Sequence, residues 1–298
     1  MRMRWPGEVA VMGEEVGEEV AMAGPAEVWA VGSGYEAYVG RWSRLVAREL
    51  IAWLEVAGGG AWLDVGCGTG ALSQTVLGAA DPAQVVGLDP SAGFVAHTRE
   101  RLAGPRARFV VADARALPLA AARFDATLSG LVLNFVPDPG TAVREMARVT
   151  RAGGRVAAYV WDYAGRMEPM RRFWDAAAAL DPAAAALDEG RRFPICRPEP
   201  LAGLFRDAGL AEVEVRPIEV PTRFRDFNDY WTPFLGGQGP APAYTVALDE
   251  PRRAALREEL RARLPVAPDG SIPLVARAWA ARGVARPRAG AGGGPWPA

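Results

Sequence analysis

The sequence predicts an α/β fold, a doubly wound and mostly parallel sheet with an antiparallel pair at one edge and a helical, aromatic-rich addition near the C-terminus. Three observations predict it. Five short apolar runs alternate with helical patterns between residues 61 and 163. The runs are near-continuously apolar, as strands covered on both faces must be. A glycine-rich stretch, WLDVGCGTG at 62–70, follows directly on the first run. In such sheets ligands sit beyond the carboxyl ends of the strands, at the switch point beside the first strand.

The elements follow in order. Apolar residues at 42, 45, 46, 50, 53 and 54 share one helical face, and the glycines at 58–60 end that helix. AWLDV (61–65) is the first strand, and ALSQTVLGAA after the glycine loop is helical. QVVGLDPS (84–91) is the second strand, followed by a helix through AGFVAHTRERLAG. ARFVVADA (107–114) and FDATLSG (124–130) are the third and fourth strands. Asp138 and Pro139 read as an N-cap with proline at the first helical position, and that helix runs to Gly153 and Gly154. RVAAYVWDY (155–163) is the fifth strand. Residues 166–190 are mostly helical, and 198–210 form a helix stopped by glycine. AEVEVRPIEV (211–220) and PLVARAWAARG (273–283) read as the late antiparallel pair. The insertion between them, about 224–270, carries the aromatic run FRDFNDYWTPFLGGQGPAPAY.

Residues 1–24 read as a disordered tail or upstream extension, with Met22 as an alternative start, and 286–298 as a low-complexity tail. The domain proper is 25–285, with its cofactor half at about 35–165. The tail holds six glutamates by residue 27 and no uninterrupted apolar segment, so it is no signal peptide. No run approaches the ~20 apolar residues of a membrane span. The formal net charge is −1, which argues against a nucleic-acid backbone as partner. Every basic side chain except His97 is arginine, so Schiff-base and P-loop lysines are excluded. Two cysteines and one histidine make no ordinary zinc site, and no metal is expected. The cysteine usage fits a reduced, cytoplasmic protein.

The chemistry centres on the loop. Glycines at 66, 68 and 70 let backbone approach a ligand and turn into a helix. Alone they leave a dinucleotide and a sulfonium cofactor both open, since Gly66, Gly68 and Ala71 also fit G-x-G-x-x-A. Asp64, two residues before Gly66, opposes a diphosphate and suits an ammonium or sulfonium. Asp89 ends the second strand, where a carboxylate accepts from two ribose hydroxyls. Asp113, near the end of the third, suits the edge of an adenine.

WLDVGCGTG, VVGLDPS, VVADARALPL, RFDATLSGLVLNFVPDP and EMARVTRAGGRV resemble, in order, the motifs of class I S-adenosylmethionine-dependent methyltransferases. The nearest likeness is to the small-molecule group of the ubiquinone/menaquinone-biosynthesis enzymes, and it is collinear over about 60–160. The resemblance implies a Rossmann-like, seven-stranded sheet with its last strand antiparallel. It implies S-adenosylmethionine as cofactor and a small-molecule methyl acceptor as partner. Gly66 and Gly68 would then face the methionine part, with Asp64 near its ammonium and Cys67 and Gly70 in the same loop. Asp89 and Pro90 would lie at the ribose, and Asp113 and Ala114 at the adenine. Ser129 and Leu131 would lie near the methyl donor, Arg41 at the methionine carboxylate, and Tyr38 over the cofactor.

In-line methyl displacement needs a general base only for a nucleophile with a tightly held proton. His97 lies in a helix away from the strand ends, which leaves Asp162, Tyr163, Asp229 and Tyr230 as candidates. Cys67 reads as a packing residue rather than a reactive thiol. Glu145 and Arg148 read as a helix-face pair. Trp231, Phe234 and Tyr244 suit either the core of the insertion or an acceptor site. A protein or RNA substrate, a non-catalytic cofactor-binding protein and an NAD-dependent oxidoreductase are the competing readings. The last lacks any Tyr-x-x-x-Lys and leaves Asp64 misplaced.

Overall fold

A computed structural model of the protein describes residues 40–237 and 239–287. Tyr38 and the two expected tails, save Arg286 and Pro287, lie outside the described residues.

Helix α1 (Arg41–Leu54) opens the described chain and buries Val46, Ala47, Leu50, Ile51 and Leu54. Strand β1 (Ala61–Val65) leads through the glycine loop to α2 (Ala71–Ala79). Strand β2 (Gln84–Asp89) and α3 (Ala92–Leu102) follow, the helix capped by the Ser91 side chain. Strands β3 (Ala107–Val111) and β4 (Phe124–Gly130) are joined without an intervening helix. Helix α4 (Pro139–Val149) starts at the expected cap, where the Asp138 carboxylate accepts from Thr141 N. Strand β5 (Thr150–Trp161), helices α5 (Glu168–Leu180), α6 (Glu189–Arg192) and α7 (Pro198–Asp207), and strand β6 (Ala211–Phe224) come next. Helices α8 (Phe227–Trp231), α9 (Pro240–Ala247) and α10 (Glu250–Arg263) make up the insertion, and β7 (Ile272–Val284) closes the sheet.

The seven strands lie in the order β3-β2-β1-β4-β5-β7-β6. The first five are parallel, and β7 runs antiparallel to both β5 and β6. The last strand in sequence thus sits between the two before it, and β6 takes the edge. Several strand boundaries differ from expectation. Strand β2 ends at Asp89 and β3 at Val111, so Asp113 and Ala114 lie in the turn after β3. Strand β5 starts at Thr150, on the far side of the Gly153 and Gly154 that were expected to end a helix, and stops at Trp161. Asp162 and Tyr163 fall just past it.

β1 and β4 are buried at nearly every position, so both faces of the central sheet are covered. The chain leaves β1 toward β2 on one side while β4 pairs on the other. That divergence is the switch point, and the glycine loop lies at its carboxyl end.

Candidate active site

The loop is built on β2. Gly66 N and Cys67 N both donate to Leu88 O, at 2.7 and 2.9 Å, and Gly70 N donates to Cys67 O at 2.8 Å. Gly66, Gly68 and Gly70 all have positive φ, +79°, +50° and +85°, a region closed to most side chains. A Cβ on Gly66 would lie 2.5 Å from the Val132 methyls, and one on Gly70 would strike Leu102 and Thr98. A Cβ on Gly68 would meet nothing within 4 Å. Gly66 and Gly70 are therefore glycines for packing, whereas Gly68 has open space before it. The amino end of α2 follows at once and favours negative charge there.

Around this loop lies a cavity of about 520 Å³, within the ~300–1,000 Å³ common for small-molecule sites. One side is polar, formed by the loop with Asp89, Pro90, Asp113 and Ala114. The opposite wall is apolar, made by Leu131, Val132, Phe135, Val136 and Pro137 after β4. Leu131 turns that wall at φ +61°, a strained conformation for a branched side chain.

Asp89 is held by two backbone donors. Gly68 N reaches its Oδ2 at 3.0 Å and Ser91 N its Oδ1 at 2.9 Å. Each carboxylate oxygen keeps a free lone pair for a further donor such as a diol. Burial raises its pKa, against the pull of those two amides. Asp64 lies beneath the loop, off the cavity wall and 1% exposed. Ser73 Oγ donates to its Oδ2 at 2.6 Å, while Oδ1 has no partner among the described residues. Burial pushes this carboxyl up to about 7, Ser73 pulls it back and the Asp89 charge adds to it. Asp113 is chelated by Arg115, whose Nη2 lies 2.6 Å from its Oδ2, and this bond holds its pKa below the usual carboxylate range. Cys67 lines the cavity, but burial and then the charges of Asp64 and Asp89 push its thiol far up, so it stays protonated and inert.

The remaining sequence candidates are placed as follows. Leu131 lines the cavity; Ser129 is fully buried behind it, and Gly70 also lies off the wall. Arg41 is turned away. Its Nη1 lies 3.1 Å from Asp229 Oδ1, and its guanidinium sits 4.5 and 4.8 Å from the Trp42 and Phe224 ring centres. None of the four candidates for a base lines the cavity, which corrects their expected place. Asp162 accepts from Arg277 Nε at 2.7 Å and Arg166 N at 2.8 Å, and so ties the end of β5 to β7. Tyr163 packs against Phe193, and Asp229 holds Arg41. Tyr230 is buried and donates to Pro169 O at 2.8 Å. Trp231, Phe234 and Tyr244 pack within the insertion and onto α5, where Phe234 stacks on Phe173 at 4.5 Å.

Sequence reasoning missed Tyr159, Phe94, Arg115 and the wall of Val132, Phe135, Val136 and Pro137, all of which line the cavity. A usable signal existed for Tyr159. It pairs in register with Gly130, the last residue of β4, and a large ring needs a glycine opposite it. Reading β5 two residues too far drew attention to Asp162 and Tyr163 instead.

This donor set fits S-adenosylmethionine. Asp89 has lone pairs for a ribose diol, Gly68 leaves open space for the ligand, and Asp64 offers an unpartnered carboxylate oxygen under the loop, suited to a cationic end. A methyltransferase-domain family matches residues 63–158. A demethylmenaquinone methyltransferase of Roseiflexus castenholzii is 34% identical over 171 residues, covering 52% of this chain and 70% of that protein. A ubiquinone/menaquinone biosynthesis C-methyltransferase of Desulfotalea psychrophila is 30% identical over 192 residues, covering 61% of this chain and 76% of that one. In fold, the chain is similar to a crystal structure described as a putative methyltransferase of Bacillus halodurans, with TM-score 0.54 and 14% identity, over 81% of this chain and 99% of that one. Motif order, sheet topology and these relatives agree: the chain belongs to the class I S-adenosylmethionine-dependent methyltransferases, in the group of the ubiquinone/menaquinone-biosynthesis enzymes.

Proposed function

We propose that this methyltransferase acts on a small, partly apolar metabolite. The observation that carries the reading is a single cavity with two unlike walls. The glycine loop and Asp89 form the cofactor side, and Leu131, Val132, Phe135, Val136 and Pro137 form the other. An apolar wall of this kind suits a ring or an alkyl chain and offers nothing to a polyanion. The two relatives, one named for methylation of demethylmenaquinone and the other for ubiquinone/menaquinone biosynthesis, support an acceptor of similar character.

When bound, the cofactor supplies an activated methyl group on a sulfonium. The protein's own part is to hold and orient. Asp89 binds the ribose, Asp113 and Ala114 flank the adenine, and the charge of Asp64 acts from beneath the loop on the cationic methionine end. The apolar wall excludes water and places the acceptor in line. Such positioning is worth up to ~7–11 kcal/mol of the barrier.

The test is transfer from methyl-labelled cofactor into fractionated cell extract, with the product identified by mass. Label in a small-molecule fraction is expected. Label in protein or RNA would replace this reading with a macromolecular substrate, and cofactor binding without any label would make the chain a binding protein.

A further inference from the structure

The cavity runs across five neighbouring strands. Asp113 follows β3, Asp89 ends β2, the glycine loop follows β1, Leu131 follows β4, and Tyr159 stands on β5. With the cofactor over β3, β2 and β1, the acceptor end is the one at β4 and β5. Phe135 belongs to that end. It closes the short helical turn Leu133–Phe135 after β4 and lines the cavity. Its ring meets that of Phe193 edge-on, with centres 5.3 Å apart and planes at 77°. Phe193 is partly buried and is not among the described residues that line the cavity. It follows α6, in the chain beyond β5, and its ring also lies 6.2 Å from that of Tyr163. Phe193 thus stands behind the cavity wall.

The seat of Phe193 is fixed. Asp188 accepts from Gly190 N at 2.9 Å and from Arg171 Nη2 of α5 at 2.7 Å. Arg171 in turn donates to Tyr163 O at 3.3 Å, and Glu189 accepts from Trp174 Nε1 of α5. Gly190 lies so close to the chain after β5 that a Cβ on it would fall 2.9 Å from Ala164 Cα. Helix α6 is therefore tied both to α5 and to the end of β5, and Phe193 N donates to Glu189 O at 2.9 Å. A ring seated in this way does not step aside for a longer ligand. An apolar pocket with a fixed end discriminates by length, because each added methylene must displace packed atoms.

We infer that Phe193 is a positioning residue that limits the size of the methyl acceptor, by standing behind Phe135 at the acceptor end of the cavity. The inference rests on the small-molecule reading above. The site it bounds takes a ring or a short alkyl chain and rejects a longer one. Phe193 touches neither cofactor nor acceptor; its effect passes through the ring in front of it.

The experiment compares wild type, Phe193→Ala and Phe193→Leu. Folding is followed by thermal unfolding. Binding on the cofactor side is titrated with S-adenosylhomocysteine and should be as in wild type. Methyl transfer from labelled cofactor is measured into cell extract and onto a panel of phenols and hydroquinones bearing alkyl chains of increasing length. Phe193→Ala removes the ring behind Phe135, so the ratio of kcat/KM for long-chained over compact acceptors should rise about tenfold or more, with heavier labelled products in extract. Phe193→Leu should move the ratio the same way by less, and it serves if the alanine variant does not fold. A loss shared equally by all acceptors would mark a merely structural role and overturn the inference. An unchanged ratio would do the same, and both results would leave the small-molecule reading standing. Wild type that labels no small molecule, in the panel or in extract, would overturn both.

Discussion

Asp89 shows how one residue's place can be legible in sequence. An acid at the end of the second strand of a doubly wound sheet has a single place to be, and the structure puts it there, on the cavity wall with Gly68 N and Ser91 N aligning its two oxygens. In the proposed ribose-binding role, replacing it with alanine would remove a charge-assisted pair of bonds. Cofactor affinity measured by titration calorimetry should fall more than about tenfold, or ~1.4 kcal/mol; an unchanged dissociation constant would end that assignment. Asp64 was legible as an acid beside the loop, but its depth was not, because sequence does not say which face of the loop a preceding strand residue supports. Burial holds its carboxyl near a pKa of about 7, with Ser73 bonding the ionised form. A cationic ligand end favours that ionised form. Affinity for S-adenosylmethionine should therefore strengthen as the pH rises from about 6 to about 8 and level off above. Asp64→Asn should flatten the profile, and a profile that weakens over that interval would count against the assignment. Tyr159 was among the residues missed, because reading β5 two residues too far exchanged the cavity-lining position for the turn beyond it.

At the scale of elements, the glycine loop separates two kinds of necessity that look alike in sequence. Gly66 at φ +79° has Val132 where its Cβ would go, whereas Gly68 at φ +50° has open space. Alanine at 66 should cost ~1–3 kcal/mol of stability through strain and displacement of Val132, seen as a lower thermal midpoint along with lost binding. Alanine at 68 should fold nearer to normal yet bind poorly, because its methyl stands in the ligand's space. Equal stability losses at the two positions would contradict this division. The insertion between β6 and β7 was legible as an element but not as a partner. Its aromatics suited a core or an acceptor site equally well until Phe234 was found stacked on Phe173 of α5, and Tyr230 bonded to Pro169 O. Tyr230→Phe should thus cost about 1 kcal/mol in unfolding free energy while kcat and KM stay as in wild type; a selective fall in kcat would restore Tyr230 as a catalytic candidate.

For the whole molecule, the alternation of apolar strands and helices specified the sheet, because strands buried on both faces leave continuous apolar runs that little else in a globular chain produces. The position of β7 between β5 and β6 was less open to reading, since an antiparallel pair at an edge can be laid down in either order. Burying acids in the fold has a consequence for its overall stability. Asp64 under the loop and Glu189, which accepts from Trp174 Nε1, are both pushed by burial up to about 7, from ordinary values of 3.8 and 4.5. The native state therefore holds more protons than the unfolded chain between about pH 4 and 7, and stability falls as the pH rises through that window. Asp113, Asp138 and Asp269 have the opposite shift, drawn down by hydrogen bonds from Arg115, Thr141 and Ser271 respectively, and they favour the unfolded chain only in stronger acid. The cofactor-free protein should accordingly show its highest thermal midpoint near pH ~4 and a midpoint a few degrees lower at pH ~8. Calorimetry across that range checks it, and the double variant Asp64→Asn, Glu189→Gln should lose most of the slope. Saturating cofactor should also reduce the slope, by favouring the ionised form of Asp64 and leaving Glu189 as it was. A midpoint that climbs steadily from pH ~5 to pH ~8 would mean that these two buried acids are ionised in the native fold.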